Sequence, residues 1–518
     1  MILKVAMFDT PQQALMLWRK LRPHLPLLIS LILITFGIRI INLLIWPIFA
    51  DEAIYIRWAQ VMRAEPTLRF LPLTDGKQPL FMWLIIPFLK IISDPLYAGR
   101  LVSTLAGTSS VVGLYIFTYL ITHRRFTSFI TGLLYATMPY AVFFDRYALA
   151  DSLLLTFGIW SLIFTYLMAR HTRLDTTLIS GGVLGFALLT KSPAIVFLSL
   201  GPLIPLLLPR FNLWHYLKFA ILISLALLIS FAVYNILRLG PEFHQIALRN
   251  QDYRYPLSEV VANPIGIFQT NSLAFVSFIW YLITPGVLVF FFTGIFLLYK
   301  NHKSKVLFFI LWILGPSIIQ IFVARGLTAR YFFFIIPPFL ILASIGFTQV
   351  LYHFRKNLFL KSLFALILFG YGLFQSIIII TNPALANLPR IERSGYLEEW
   401  TAGQGLKQMA SYIDQQSQSN RVVVGTEGFF GTTPDGLQIY FDKHPNVTVI
   451  GNSFIIDEVP QSLIDATQEN LVYLVFNDER LKIQDINSSN LVLIQSYPKA
   501  TRPDGTHQSL MLYQVNRP

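Results

Sequence analysis

The run LPLLISLILITFGIRIINLLIW, residues 25–46, leads directly into PIFADEAIYIRWAQVMRA, residues 47–64. The first segment is apolar over about 20 residues, the length a helix needs to cross the hydrocarbon layer. It has no small-residue cleavage site and is followed by many similar runs, so it reads as a retained span rather than a removed signal. The second segment sets two adjacent carboxylates, Asp51 and Glu52, at the mouth of that span. Behind them Ala53, Ile54, Ile56, Trp58, Ala59 and Val61 predict a short helix along the membrane interface, with Trp58 as its anchor. Two readings of the acidic pair stay open. Carboxylates in a first helical turn complement the macrodipole, an effect of about 1 kcal/mol or less; alternatively, a carboxylate beside a low-dielectric boundary is a general base.

The rest of the chain agrees with a membrane protein. Of 518 residues 54% are hydrophobic and 13% charged, and the mean hydropathy is +0.58, too apolar for a soluble domain. Spanning-length runs fall near residues 26–46, 96–121, 127–143, 149–168, 177–190, 193–208, 217–238, 272–298, 306–323, 331–352 and 362–380, about eleven in all. The expected architecture is a polytopic α-helical protein. Cysteine is absent, which excludes disulfides, thiolate metal sites and a cysteine nucleophile.

Basic residues concentrate in alternate links: Arg19, Lys20 and Arg22, then HRR at 123–125, RHTR at 170–173, PRFNLWHYLK at 209–218, KNHKSK at 300–305 and FRKNLFLK at 354–361. The positive-inside rule makes these links, and the N-terminus, cytoplasmic. The net charge of +13 is therefore read as topology facing an anionic leaflet, and no nucleic-acid partner is implied. The first loop at 47–95, the links at 144–151 and 188–193, the loop at 239–271 and the link at 324–330 then face outward. After about residue 384 the composition changes. TAGQGLKQMASYIDQQSQ reads as an amphipathic helix, and RVVVGTEGFF, NVTVIG, NLVYLVFN and LVLIQSY as short strands. The expected domains are a membrane domain at 1–383 and an extracytoplasmic α/β domain at 384–518. Sequons at Asn446 and Asn487 bear on this chain only in a host that glycosylates.

Every outer link carries cations. Lys77, Arg146, Lys191, Arg249, Arg254 and Arg330 break the positive-inside pattern. Snorkelling, or pairing with Asp145 or Asp151, accounts for any one of them; their recurrence suits an outer-face pocket for phosphate, which ammonium and guanidinium groups bind by charge-assisted hydrogen bonds. No P-loop or dinucleotide fingerprint is present.

The acidic pair at 51–52, KQPL at 77–80 followed by Trp83, DRYALAD at 145–151, TKSP at 190–193 and RYFFFIIPP at 330–338 together resemble the GT-C type membrane glycosyltransferases. The nearest groups are the protein O-mannosyltransferase-like family (glycosyltransferase family 39 type) and the bacterial aminoarabinose transferases. The resemblance covers about residues 20–355. It implies active-site loops outside the cell membrane and a polyprenyl-phosphate-linked sugar as donor. Inverting transfer of a hexosyl or pentosyl group follows, to a hydroxyl or phosphate of a lipid, glycan or protein acceptor. It makes Asp51 the catalytic base and lets Glu52 or Asp151 orient the acceptor or a cation. Lys77, Arg249, Arg254 and Arg330 hold the donor phosphate, with Arg57, Arg146 and Lys191 as further outer-face candidates. Two departures stand out: Gln78 where the family commonly has proline, and Gly76 where the aminoarabinose transferases carry a glutamate. In the aminoarabinose transferases such an acidic residue and a histidine of a later outer loop form a metal site, and the resemblance would put Asp75 and His244 in their places for a divalent ion.

A transporter or flippase of a lipid-linked or anionic substrate is the competing expectation. It calls for ionisable residues at midplane depth, whereas the acidic residues collect at the outer ends of the spans. A membrane scaffold with an outer recruiting domain is a third reading, in which the outer charges only solvate the loops.

Overall fold

Helices follow the apolar runs, and their interruptions follow proline and left-handed turns. The computed structural model describes residues 21–483 and 490–517; Arg19, Lys20 and the sequon at Asn487 lie outside the described residues. Helix α1 (Leu25–Ile40) ends where Ile41 becomes extended. Helix α2 (Ala50–Ala64) opens after extended Phe49, whose N–H donates to Glu52 Oε2 at 3.0 Å. That is one half of a capping box, so the helix-start reading holds for Glu52. Helix α3 (Pro95–Thr122) begins at Asp94, which accepts from the Tyr97 N–H, and stops at left-handed His123. Helices α4 (Arg125–Thr137), α5 (Ala150–His171), α6 (Leu174–Thr190) and α7 (Leu213–Tyr234) follow. A short helix α8 (Gln245–Asp252) precedes α9 (Pro264–Phe278), α10 (Pro285–Asn301), α11 (Lys303–Val323), α12 (Ile336–His353) and α13 (Leu358–Thr381).

Two expected spans are interrupted. The run at 127–143 breaks at Met138, which is extended ahead of Pro139, as the residue before proline prefers. The run at 272–298 breaks at Thr284, with φ of 79° before Pro285. Among the described residues seven helices are long and apolar enough to cross a membrane, and four shorter apolar helices join them: Leu25–Ile40, Leu174–Thr190, Ser192–Leu207 and Pro285–Asn301. Eleven spans are therefore not reached on length alone.

The basic links meet at one end of the bundle. Lys305 Nζ donates to the Ile121 carbonyl at 3.0 Å, Arg124 to Gln349 Oε1 at 3.3 Å, and the His215 ring contacts the Ala169 carbonyl at 2.6 Å.

At the other end sits a mixed sheet ordered β4-β3-β5-β7-β6. Its strands are β3 (Val422–Thr426), β4 (Val447–Gly451), β5 (Leu471–Asn477), β6 (Leu491–Pro498) and β7 (Ser509–Val515). The first three run parallel, and β5, β7 and β6 are antiparallel neighbours. The amphipathic helix runs Leu406–Gln416 and buries Leu406, Met409, Ala410 and Ile413. A two-residue ladder joins the sheet region to the first long loop: β1 (Ile48–Phe49) pairs with β2 (Ala402–Gly403), and the Ala50 N–H donates to the Thr401 carbonyl at 3.0 Å. One hydrophobic cluster contains both Phe81 of the first loop and Leu406 and Val424 of the C-terminal part.

Candidate active site

The end of the bundle opposite the basic links contains a cavity of about 280 Å³. Five cations line it, Lys77, Lys191, Arg249, Arg254 and Arg330, around a single carboxylate, Asp51. Each comes from a different local structure. Asp51 is in the first turn of α2. Lys77 follows Gly76, whose φ of 64° turns the chain at the end of a short 3-10 segment. Gly76 has no room for a side chain: a Cβ there would lie 2.6 Å from the Gln245 carbonyl oxygen and 2.4 Å from Arg249 Cβ. This contact is how the first loop meets α8, and it explains why glutamate cannot stand at 76 in this chain. Lys191 is the extended residue capping α6. Arg254 is held by a bridge to Ala324, flanked by Tyr255 N–H to Val323 at 2.8 Å and Arg325 N–H to Tyr253 at 2.9 Å. Arg330 sits in a 3-10 turn before α12.

The charges form a chain. Arg330 Nη1 donates to Asp51 Oδ2 at 2.5 Å, and Lys77 Nζ is 3.5 Å from Asp51 Oδ1 and 3.6 Å from Asp75 Oδ2. Arg249 reaches Asp75 at 3.3 Å and Asp252 at 3.1 Å. Lys191 Nζ donates to Asp151 Oδ1 at 2.6 Å. Burial alone would raise the Asp51 carboxyl, but Lys77 and Arg330 hold it well below the usual carboxylate range. Burial also opposes the charge on Lys77, and Asp51 more than offsets it, leaving that ammonium raised. For Lys191 burial outweighs Asp151, so its ammonium is lowered. Arg254 makes no side-chain hydrogen bond or ion pair among the described residues.

The rim is apolar on one side. Ile319 and Val323 of α11 line the cavity together with Met82. Ile319 is 65% exposed and continues an outward row with Leu311, Leu314 and Ile318 on the same helix. A ligand with an anionic head and a hydrocarbon tail fits this combination: the head among the cations, the tail along α11.

Sequence reasoning named the charged residues of the cavity and, as a departure, Gln78, but gave no role to Tyr55, Ser192, Asn250, Tyr253, Gln320 or Tyr331. Gln78 donates to Ser192 Oγ at 2.8 Å, so the departure from proline at this position adds a cross-link between the first loop and the TKSP segment. Tyr253 adjoins Arg254, and Tyr331 adjoins Arg330 within the RYFFFIIPP stretch, the sequence signals that point to them.

Other expected site residues lie elsewhere. Glu52 is fully buried and holds Arg100 through both carboxylate oxygens, at 2.9 and 2.8 Å, and accepts the Ala148 N–H at 2.6 Å. With those partners it has no route to an acceptor or a cation. Arg146 is buried against the end of α1, where it donates to the Ile38, Arg39, Ile41 and Asn42 carbonyls; a guanidinium satisfies the carbonyls a helix end leaves open. Arg57 pairs with Asp442 at 3.1 Å and joins α2 to the C-terminal part. Asp151 does not line the cavity and reaches it only through Lys191. The residues do not fit a metal ion. Asp75 is engaged by Lys77 and Arg249, His244 faces Glu242 at 3.7 Å, and no group of three His, Asp or Glu side chains comes together among the described residues.

Comparison with known proteins bears on the fold. Residues 76–236 match the family profile described as dolichyl-phosphate-mannose-protein mannosyltransferase. No curated protein matches the sequence. Two solved structures of ArnT from Cupriavidus metallidurans share the fold. The form bound to undecaprenyl phosphate aligns with a TM-score of 0.55 at 13% identity, over 96% of this chain and 98% of that one. The apo form aligns with a TM-score of 0.56 at 14% identity, over 94% and 97%. The chain thus has the ArnT-like GT-C fold over nearly its whole length and is similar, over residues 76–236, to the protein mannosyltransferases, as the motifs in its sequence imply.

Proposed function

We propose that this protein is an integral-membrane glycosyltransferase that takes a sugar from a polyprenyl-phosphate donor and transfers it, with inversion, on the outer face of the cell membrane. The observation that carries the reading is the cavity itself: five cations around one carboxylate, open along a lipid-facing helix. A sugar on a lipid phosphate is already activated, so the site needs to stabilise the departing phosphate and remove one proton.

In this reading the donor phosphate enters among Lys77, Arg249, Arg254 and Arg330, with Lys191, paired to Asp151, lining the same cavity. The polyprenyl chain lies along Ile319 and Val323. The acceptor oxygen attacks the anomeric carbon as the bond to the phosphate oxygen breaks; the bonding pair leaves with the polyprenyl phosphate, and the acceptor proton passes to Asp51. Without a donor, Asp51 is a weak base because Arg330 and Lys77 both bind it. A phosphate that draws these two cations to itself weakens their hold on the carboxylate and restores its basicity. Binding of the donor would thereby prepare the base. In this reading the N-terminus lies in the cytoplasm and the C-terminal part at 384–518 outside, on the side of the active-site loops, as the basic links support. Sugars of the hexosyl and pentosyl classes both fit; the acceptor is a hydroxyl or phosphate of a lipid, glycan or protein.

Purified protein in detergent, given undecaprenyl-phosphate-linked sugars and membrane extract, tests the reading. Asp51→Asn should bind undecaprenyl phosphate at least as tightly as the wild type while transfer falls about a hundredfold or more. Equal transfer by the two proteins would remove Asp51 from the mechanism.

A further inference from the structure

Arg330 is the closest cation to Asp51, and its position depends on a short turn whose backbone is held from two sides. The peptide groups of Ala329, the preceding residue, are fully buried. Its N–H donates to Glu392 Oε1 at 2.5 Å, and its carbonyl accepts from the Tyr140 hydroxyl at 2.5 Å. Two residues on, the Tyr331 carbonyl accepts from Gln320 Nε2 at 3.0 Å. The turn at 329–335 is thus fixed by side chains rather than by a long helix.

Glu392 comes from an unexpected place. It lies beyond the last span, in the segment Arg390–Arg393 that leads into the C-terminal sheet, and is 1% exposed. One turn further on, Tyr396 stacks on Phe49 at 4.3 Å between ring centres, and the Arg330 guanidinium lies 5.6 Å over that same Phe49 ring. The segment therefore backs Arg330 through two contacts. Glu392 forms no ion pair among the described residues, and the Ala329 amide is the partner recorded for its carboxylate. Burial pushes its carboxyl up to about 7, with the Ala329 amide and Arg330 pulling it down and Asp151 pushing it up. An isolated buried carboxylate is costly to keep. A polar group retained there for a single backbone contact has its use in what that contact holds.

We infer that Glu392 is a positioning residue for Arg330: through the Ala329 amide, the segment after the last span sets the guanidinium that receives the lipid phosphate. The inference rests on the phosphate-pocket reading above and gives the C-terminal part a share in the site.

The test is a double-mutant cycle on binding of undecaprenyl phosphate in detergent micelles at one pH. Glu392→Ala should weaken binding about tenfold, as expected for a lost hydrogen bond to a charged or buried group. In an Arg330→Ala background the same change should cost less than about twofold, because the group it positions is gone. Glu392→Gln keeps the accepting oxygen and should bind within about threefold of wild type. Thermal unfolding of each variant identifies loss of fold. Should Glu392→Ala fail to fold, Tyr140→Phe releases the other side of the same peptide and should show the same coupling to Arg330. Equal losses with and without Arg330, or a Gln variant as weak as Ala, would overturn the inference while leaving the pocket intact. A wild type that does not bind undecaprenyl phosphate, or an Arg330→Ala protein that binds normally, would overturn the pocket reading and this inference together.

Discussion

Asp51 and Glu52 are adjacent in sequence, and a helical start points them about 100° apart. That angle places one in a cavity and the other in the protein interior. Around Glu52 the charges are fully committed: Arg100 fills both oxygens, and its remaining N–H groups donate to the Leu43, Trp46 and Pro47 carbonyls at 2.9, 3.1 and 2.9 Å. Nearby, Arg39 pairs with Asp145 at 3.0 Å with both side chains fully buried. Around Asp51 five cations line the cavity with one lining carboxylate; Lys77, Arg249 and Lys191 also pair with Asp75, Asp252 or Asp151 outside the lining, and Arg254 makes no side-chain ion pair among the described residues. The contrast separates structure from function. A charge whose hydrogen bonds are completed by the fold is part of the fold; an excess of one sign facing a cavity is left for a ligand.

The comparison is broken most directly by exchanging the fates of the two residues. Glu52→Ala leaves Arg100 buried without its counter-ion and should cost about 3–5 kcal/mol of stability, seen as a collapse in the yield of folded protein in detergent. Asp51→Ala should give normal yield. If both express equally well, the interior pair is not structural.

Within the cavity, Asp51→Asn is expected to reduce transfer about a hundredfold or more while sparing donor binding. Next come the cations. Lys77→Ala and Arg249→Ala should each slow transfer by about tenfold to a thousandfold, since each removes a contact to a phosphate whose charge grows as the bond breaks. Titration with undecaprenyl phosphate and an initial-rate assay measure the two effects separately. Unchanged rates in both variants would place the phosphate elsewhere.

A smaller effect concerns pH. The Glu392 carboxyl stands at about 7 in the fold against 4.5 for the free group, with Arg330, Asp151, Tyr140 and Tyr396 around it. Between those values the folded protein retains a proton that the unfolded chain has released. Its contribution to stability is therefore present below 4.5 and lost as pH rises through 7. Thermal unfolding from pH 5 to 8 should show this decline, and Glu392→Gln should flatten it. The smallest effect is at the joint between α2 and the C-terminal part. Arg57→Ala removes a partly buried ion pair but leaves Asp442 paired with Arg63 at 2.8 Å, so it should cost less than about 1 kcal/mol and leave transfer unchanged.

Much of this was legible in the residues. Apolar runs of spanning length report helices because the backbone in a membrane must satisfy itself, and the β-branched runs at 422–426, 447–451 and 471–477 became strands where they were expected. Strand β7, SLMLYQV, was less visible because its apolar and polar residues do not alternate strictly. Cations that break the positive-inside pattern pointed to the cavity, and five of the six so identified line it. Arg146 shows where that argument fails: charge bias places a residue at one end of the bundle, but not whether it faces the cavity or a helix end.

By itself the sequence determined the polytopic helical class, the sidedness of its charge and the set of residues from which a phosphate site could be drawn, because hydropathy and charge act along the chain. Only the tertiary structure decided that Asp51 faces the cavity and Glu52 the interior, that Arg57 joins two parts of the molecule, and that Glu392, more than 300 positions from Asp51, stands behind Arg330. Those outcomes depend on which groups complete one another's hydrogen bonds across the fold, and no local pattern of residue types carries that information.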